Sequence, residues 1–232
     1  MGKNKHARWA EMKGFDHVIE PPFDEVFRRD HSLKGNWHRE WFGNSNPITL
    51  ELGCGKGEYT VGLASRFPDR NFIGIDIKGA RMWRGAKESH NLRLPNAAFL
   101  RTRIEFTGSF FSPGEVDEIW LTFPDPQMKR SREKKRLSGP YFLNLYRSYL
   151  RNRGQVHLKT DCLELYQYTA ELVRVNGLDV ITSVTDLHHE MSGDPLLSIR
   201  TYYEQMFLNQ GVPINYLSFR LPNDKEIISP ER

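Results

Sequence analysis

The hydrophobic pattern of the chain becomes regular at residue 47. From there, short apolar runs predict seven strands, at residues 48–52, 72–77, 97–100, 116–123, 155–159, 178–184 and 216–221. Apolar positions at helical spacing predict helices between most of them, at residues 58–66, 80–91, 141–151 and 163–176. Strands that alternate with helices are joined by crossovers, which favour parallel pairing and helices on both faces of the sheet. The pattern therefore predicts an α/β, Rossmann-like domain with a mainly parallel seven-stranded sheet, whose last two strands lie at one edge.

Residues 1–46 show no sustained periodicity. They contain Pro21 and Pro22, scattered aromatic side chains and four basic residues near the start, which are Lys3, Lys5, Arg8 and Lys13. We interpret this segment as an irregular basic amino-terminal arm that packs only in part. Residues 47–232 are interpreted as one domain, because no break in composition follows.

The composition indicates a globular protein and argues against several other classes. Apolar residues make up 38% of the chain and aromatic residues 12%, which suffices for a core. No run of about 18 apolar residues occurs and residues 1–13 are polar, so we predict neither a membrane span nor a secretory signal. The two cysteines, Cys54 and Cys162, are far apart and lack a CxxC spacing, which argues against a disulfide framework and a cysteine zinc site. This cysteine usage suits a protein of the reducing cytoplasm. The sequence His188-His189-Glu190 has no third ligand at a recognisable spacing, so no metal is expected, and no obligate protein partner is evident.

The first predicted strand leads into a glycine-rich turn that precedes a helix. Closely spaced glycines (Gly53, Gly55 and Gly57) let backbone N–H groups approach a ligand, and Asp76, after the next strand, is placed to accept hydrogen bonds from a ribose diol. Dinucleotide sites use the spacing G-x-G-x-x-G, whereas this turn has G-x-G-x-G with Glu51 two residues before it. That carboxylate would repel a pyrophosphate and attract the ammonium and sulfonium groups of S-adenosylmethionine. We therefore expect S-adenosylmethionine; the alternatives are a dinucleotide, a purely structural turn, or a capping role for Glu51.

A second acidic site follows the fourth predicted strand. Pro124 and Pro126 flank Asp125 and hold the backbone in an extended, stiff conformation. A carboxylate fixed at the carboxyl end of a central strand suits a ligand site, although a solvated proline-rich turn would have the same sequence.

Positive charge is concentrated directly after this loop. The formal net charge is only +4, yet residues 129–136 contain Lys129, Arg130, Arg132, Lys134, Lys135 and Arg136. Such a run is often a solvated surface, but lysine and arginine also give affinity for a phosphate backbone without reading its bases. Because the run begins four residues after Asp125, one loop combines a fixed acid with phosphate-binding side chains, which favours nucleic-acid contact.

These motifs, together with two later ones, resemble a known family. Along the chain they read ELGCG at residues 51–55, GID at 74–76, TFPDP at 122–126 with the basic run, HLKTD at 157–161 and TYYE at 201–204. Together they are similar to the bacterial tRNA (guanine-N7-)-methyltransferases over roughly residues 47–207. The Pro-Asp-Pro loop and the late Thr-x-Tyr-Glu are distinctive of that family, whereas the glycine turn alone indicates only a class I methyltransferase.

The resemblance implies a reaction and a set of site residues. The fold would be that of a class I methyltransferase, which transfers a methyl group from S-adenosylmethionine to N7 of a variable-loop guanosine in tRNA. The cofactor would contact Glu51, Gly53, Gly55, Asp76, Arg103 and Asp125. The guanosine would contact Lys129, Asp161, Thr201 and Glu204, and Asp125 would be the catalytic residue, where cofactor and base meet. The tRNA backbone would contact Arg130, Arg132, Lys134, Lys135 and Arg136.

Three positions depart from the family pattern. Arg103 stands where an Asp or Asn usually meets the cofactor adenine, and arginine cannot accept a hydrogen bond from the adenine amino group, so Glu105 is an alternative acceptor. Gln127 replaces a tryptophan, which would weaken base stacking, and Arg132 replaces a histidine. We expect reduced or retuned activity rather than a different reaction. Two alternatives stay open: a methyltransferase for another RNA or DNA base, and a catalytically weakened RNA-binding relative.

Overall fold

The computed structural model describes residues 3–191, 193–194 and 197–230, with the side chains of residues 3–5 and 130 left outside the description. The chain forms two compact units, one that ends at Ser112 and one that begins at Pro113. This division differs from the predicted boundary at residue 47, because the arm is part of the first unit. Within the described residues, no helix combines the length and the apolar composition needed to cross a membrane.

The first unit is built on parallel strands. Its elements are α1 (Lys3–Met12), β1 (Val18–Ile19), α2 (Phe23–Val26), a π-helical turn (Trp37–Phe42), β2 (Ile48–Leu52), α3 (Glu58–Arg66), β3 (Asn71–Ile75), α4 (Gly79–Leu92), β4 (Ala97–Leu100) and a 3₁₀ helix (Ile104–Ser109). Its strands lie in the order β1-β4-β3-β2, and every pair is parallel. The carboxyl ends of these four strands therefore share one edge, where the glycine turn and Asp76 follow β2 and β3.

The arm is ordered and contributes to the core, which corrects its interpretation as an irregular segment. Met12 and Phe15, at 0% and 9% exposure, belong to the same buried cluster as Cys54, Met82 and Phe99. β1 pairs with β4 and adds a strand to the seven that the sequence predicts, so the described residues contain eight. A strand of two residues is too short to produce a periodic signal, and the sequence analysis therefore missed it.

The second unit combines parallel and antiparallel pairing. Its elements are β5 (Val116–Thr122), a 3₁₀ helix (Arg130–Lys135), α5 (Pro140–Arg147), β6 (Leu150–Thr160), α6 (Leu163–Val175), β7 (Val180–Val184), α7 (Leu187–Glu190), α8 (Tyr202–Asn209) and β8 (Asn215–Leu221). β5 and β6 are parallel, and β8 runs antiparallel between β6 and β7. β5 and β6 end side by side, so the segments that follow them, which contain Asp125 and Asp161, begin at the same edge.

Candidate active site

Glycine is required in the turn that follows β2. Gly53 and Gly57 have φ values of +78° and +70°, a region that residues with a Cβ rarely adopt. A Cβ on Gly57 would also lie 2.6 Å from the Phe99 ring. The Gly53 N–H donates to the Ile75 carbonyl at 2.8 Å and ties the turn to the end of β3. The result is a backbone surface that a ligand can approach closely.

Asp76 is held against this turn by backbone donors. Its Oδ2 accepts a hydrogen bond from the Gly55 N–H at 2.9 Å, and its Oδ1 accepts one from the Lys78 N–H at 2.7 Å. The residue is partly exposed, and a carboxylate has more lone pairs than these two bonds use. Asp76 thus combines a fixed position with the accepting capacity that a ribose diol requires.

Glu51 lies in β2, and its buried carboxylate contacts the start of α3. It is only 4% exposed, and its Oε2 accepts hydrogen bonds from the Thr60 N–H at 2.8 Å and the Thr60 hydroxyl at 2.5 Å. The capping role considered as an alternative is therefore present, because Thr60 lies in the first turn of the helix. Burial, together with the charges of Glu51 and Asp76, raises the pKa of the Cys54 thiol well above its usual range. The carboxylates of Glu51 and Asp76 thus both lie close to Cys54 in this turn, and two nearby carboxylates suit a cationic ligand.

Arg103 and Glu105 contact each other beyond β4. Arg103 Nη2 lies 3.3 Å from Glu105 Oε1, and the guanidinium lies over the Phe106 ring at 5.7 Å from its centroid. This contact uses Glu105 Oε1, and the carboxylate keeps further lone pairs that could accept from an adenine amino group.

In the second unit, Asp125 lies on a loop with an unusual backbone. Phe123 and Gln127, on either side of it, have φ values of +48° and +49°, which are uncommon for residues with side chains. Asp125 Oδ1 accepts a hydrogen bond from the Gln127 N–H at 3.0 Å, and the residue is exposed. A backbone of this kind persists only where the surrounding structure supports it.

Arg136 supplies that support. Its Nε donates to the Pro126 carbonyl at 3.1 Å and its Nη2 to the Gln127 carbonyl at 3.4 Å, while its guanidinium lies 4.3 Å from the centroid of the Tyr168 ring. Arg136 was predicted to bind the RNA backbone, which requires a solvent-facing side chain. The structure corrects this, because Arg136 is only 7% exposed and binds the Asp125 loop instead.

Other members of the basic run are accessible to solvent. The exposed residues are Lys129, Arg132, Lys134 and Lys135. The side chain of Arg130 lies outside the described part of the chain. The exposed group forms a compact cationic segment on and next to the 3₁₀ helix, directly after the Asp125 loop.

A buried ionic cluster lies between β6 and α8. Lys159 Nζ lies 2.8 Å from Glu204 Oε1, with both side chains at 0% exposure, and it donates to the Leu197 and Ile199 carbonyls at 3.1 and 3.2 Å. His188 Nε2 contacts the same Glu204 oxygen at 2.9 Å. Burial lowers the pKa of the Lys159 ammonium, an effect that the Glu204 charge opposes. Neither Lys159 nor His188 was predicted as a site residue.

Glu204 is also part of a capping box at the start of α8. The Glu204 N–H donates to Thr201 Oγ1 at 3.1 Å, and the Thr201 N–H donates to Glu204 Oε2 at 3.4 Å. The spacing Thr-x-x-Glu is a sequence signal for this motif. A guanine would therefore have to replace one of the present donors in order to reach the Glu204 carboxylate.

Asp161 follows β6, next to the end of β5. It is partly buried, and desolvation raises the pKa of its carboxyl group. The Phe123 N–H donates to the Lys159 carbonyl at 2.8 Å, and the Phe123 and Phe207 rings stack with centroids 6.1 Å apart. These contacts bring the Asp125 loop, β6 and α8 together in the second unit.

The predicted site residues thus form two groups. Glu51, Gly55 and Asp76 come together in the first unit. Asp125, Lys129, Asp161, Thr201 and Glu204 belong to the second unit, where Thr201 and Glu204 contact each other. The expectation that both groups line a single cavity stays a prediction. Among the described residues, no group of three or more His, Cys, Asp or Glu side chains is arranged to hold a metal ion.

Comparisons with known proteins identify relatives along the whole chain. A family model described as "Putative methyltransferase" matches residues 45–217. A Bacteroides fragilis protein named tRNA (guanine-N(7)-)-methyltransferase is 51% identical over 231 residues, which cover 100% of this chain and 91% of the relative. A relative of the same name from Porphyromonas gingivalis is 54% identical over 90% of this chain and 86% of its own length. Another, from Christiangramia forsetii, is 46% identical over 94% of this chain and 98% of its own length.

Solved structures support the fold. The 16S rRNA methyltransferase KamB has a TM-score of 0.63 at 14% identity and covers 85% of this chain and 98% of its own. A 30S ribosomal A1408 methyltransferase from an uncultured bacterium has a TM-score of 0.56 at 16% identity, over 82% and 95%. At these identities the likeness establishes a Rossmann-like methyltransferase fold and nothing finer. The extensive sequence identity does establish the family, and this chain belongs to the tRNA (guanine-N(7)-)-methyltransferases.

Proposed function

We propose that this protein transfers a methyl group from S-adenosylmethionine to N7 of a variable-loop guanosine in tRNA. The observation that carries the proposal is the pair of fixed carboxylates, Glu51 and Asp76, on a glycine turn. The chain is also 46–54% identical to relatives named for this reaction. The acidic turn supports a cationic nucleoside as cofactor, and the relatives' name supports the target atom.

The residues of the first unit fit such a cofactor. When bound, S-adenosylmethionine supplies a methyl group that its sulfonium already activates. Gly53 and Gly55 present backbone without a Cβ, and Asp76 offers acceptors to the ribose hydroxyls. The buried charge of Glu51 favours the ammonium and sulfonium groups.

Catalysis of this reaction depends on the positions of the reacting atoms and does not require proton transfer. Guanine N7 has a lone pair at neutral pH, so no base must act before the attack. The protein has to hold N7 in line with the methyl group. This alignment lowers the barrier because the entropy cost of bringing the two reactants together is met on binding. The guanine ring gains positive charge in the product, and Asp125 on its braced loop would stabilise that charge, with Asp161 as a second carboxylate.

Recognition of guanosine would use residues that follow β5 and β6 and residues at the start of α8. Lys129 is exposed beside the Asp125 loop, Thr201 begins α8, and Asp161 is partly buried. Glu204 would accept from the guanine N1–H and amino group once His188 has moved away from its Oε1. Such a rearrangement fits a base that is drawn out of the folded tRNA on binding.

The tRNA backbone would bind the exposed cationic segment. Lys129, Arg132, Lys134 and Lys135 offer charge without base specificity, and Arg130 belongs to the same run. A tRNA substrate, together with two free cysteines, fits a cytoplasmic enzyme.

The test is methyl transfer to unmodified tRNA, followed by mapping of the product. Borohydride and aniline cleave RNA at N7-methylguanosine, so we expect cleavage at one variable-loop position. Asp125→Asn is expected to bind S-adenosylhomocysteine within a few-fold of wild type and to lose roughly 100-fold in turnover. Methylation of another base would favour the first alternative from the sequence, and tRNA binding without transfer would favour the second. Either result overturns the proposal.

A further inference from the structure

The arm and the ends of β3 and β4 enclose a pocket in the first unit. Its volume is about 560 Å³, within the usual range for small-molecule sites. Glu20 directly follows β1, Ile77 follows β3, and Arg103 follows β4, and all three line the pocket. Because these strands are parallel, the pocket lies at their carboxyl edge, where open α/β sheets bind ligands.

The pocket is connected to the ribose-binding carboxylate. Ile77 is the residue after Asp76, and its side chain is 52% exposed, so it offers an apolar surface beside that carboxylate. Arg101 Nε donates to the Ile77 carbonyl at 3.3 Å, and Arg101 Nη1 lies 3.5 Å from Glu20 Oε2. Arg101 therefore links the residue next to Asp76 with Glu20.

One carboxylate oxygen of Glu20 accepts no hydrogen bond from the described residues. Its Oε1 is buried, and no group in the described part of the chain donates a hydrogen bond to it. A buried acceptor without a partner is costly, and such atoms are rare unless a ligand or water completes them. The oxygen belongs to a residue that lines the pocket, so a ligand in the pocket can supply the donor.

Among the described residues that line the pocket, Glu20 is the one carboxylate. Lys13, Arg101 and Arg103 are donors only, and the Thr102 hydroxyl is a neutral acceptor on a residue that is 7% exposed. We propose that Glu20 accepts a hydrogen bond from the 6-amino group of the cofactor adenine, so that the amino-terminal arm completes the nucleoside site. This inference rests on the proposed cofactor and assigns the adenine specificity to a residue outside residues 45–217, which the family model matches.

The test compares two ligands that differ at the purine 6-position and at the neighbouring N1, which carries a hydrogen only in the inosyl ligand. S-adenosylhomocysteine has an amino group there, and S-inosylhomocysteine has a carbonyl oxygen. We measure both affinities by isothermal titration calorimetry with the full chain. Wild type should prefer the adenosyl ligand strongly, because the inosyl oxygen would face the Glu20 carboxylate. Glu20→Ala should lower the affinity for the adenosyl ligand roughly tenfold. The affinity for the inosyl ligand should stay the same or rise.

Glu20→Gln gives the sharper result, because an amide can donate to the inosyl oxygen. We expect its preference for the adenosyl ligand to fall by roughly tenfold or more relative to wild type. Asp24→Ala, an exposed carboxylate on the same arm, is the matched control and should change neither affinity. Arg101→Gln removes the ion pair and keeps the Glu20 carboxylate, so it should preserve the preference even if the arm loosens. Circular dichroism and thermal melting without ligand verify that each variant folds.

The outcomes separate this inference from the proposed function. If both ligands weaken equally in Glu20→Ala and Glu20→Gln, Glu20 acts only through packing and the inference is refuted. It is also refuted if the variants bind tRNA less well but keep the wild-type ligand preference. If wild type binds neither ligand, the cofactor proposal itself fails. If the wild-type protein binds and methylates tRNA but the Glu20 variants keep its preference for the adenosyl ligand, only the role of Glu20 is refuted.

Discussion

Lys159→Met would leave the Glu204 carboxylate buried without its main counter-charge. Both side chains are 0% exposed and their charged atoms are 2.8 Å apart, so solvent cannot replace the lost ammonium. Removal of one partner from a buried ion pair costs about 3–5 kcal/mol. The contact from His188 to Glu204 persists and favours the lower end of this range. We therefore expect the free energy of unfolding to fall by about 3 kcal/mol.

Urea unfolding, followed by fluorescence and circular dichroism, measures this change. The double variant Lys159→Met, Glu204→Gln removes both charges and leaves a neutral pair of similar volume. It should recover about 1–3 kcal/mol relative to the sum of the single variants, since contacting residues couple by such amounts. His188→Ala is the control on the same carboxylate and should cost less, because His188 is 22% exposed.

Two results would refute the reasoning. If Lys159→Met costs less than about 1 kcal/mol, the pair is not held as a buried ionic unit. If the single variants add within about 0.5 kcal/mol in the double variant, the two charges do not interact in the folded protein.

Three further predictions concern the same unit. Arg136→Gln should lower turnover and raise the KM for tRNA through a loosened Asp125 loop, while calorimetry shows unchanged affinity for S-adenosylhomocysteine; equal loss of cofactor affinity would contradict this role. Replacement of Arg132, Lys134 and Lys135 by serine should weaken tRNA binding at every sequence and reduce the slope of log K against log salt by roughly 2; an unchanged slope would place the tRNA elsewhere. Because burial raises the pKa of Asp161, its ionised form destabilises the fold above that pKa, and the penalty disappears as pH falls through it. Asp161→Asn should therefore be more stable than wild type at pH 7, by a margin that shrinks with acidification, and a constant margin in urea titrations would argue against a desolvated carboxylate.

The strands β2, β3 and β4 were predictable because they are buried along their full length. β2 and β4 consist of residues that are buried throughout, so their apolar runs gave the observed bounds, 48–52 and 97–100. β6 was predicted at 155–159, although it begins at Leu150, because residues 151–153 are exposed and polar. Exposed strand residues produce no apolar pattern in the sequence. Their place in the strand is defined by backbone pairing with the neighbouring strand, which the sequence does not show.

The site was predictable where chemistry follows a strand end. Glu51 and Asp76 were found because a polar residue after a buried strand stands out in the sequence. Arg136 and Lys159 were missed or misassigned because burial, which decides their roles, depends on partners such as Tyr168 and Glu204 that are distant along the chain. Glu20 was missed for the same reason, as its position depends on the pairing of β1.

β1 closes the outer margin of the first unit's sheet. The Phe99 N–H donates to the His17 carbonyl at 2.9 Å, and the Arg101 N–H donates to the Ile19 carbonyl at 2.8 Å, so β4 has backbone partners on this side. An uncovered apolar strand offers its amides to another molecule and promotes self-association. A shortened protein that begins after residue 20 would expose the sequence Ala-Ala-Phe-Leu of β4 in this way. Its insolubility would then reflect intermolecular strand pairing, and it would say nothing about whether the removed residues bind tRNA.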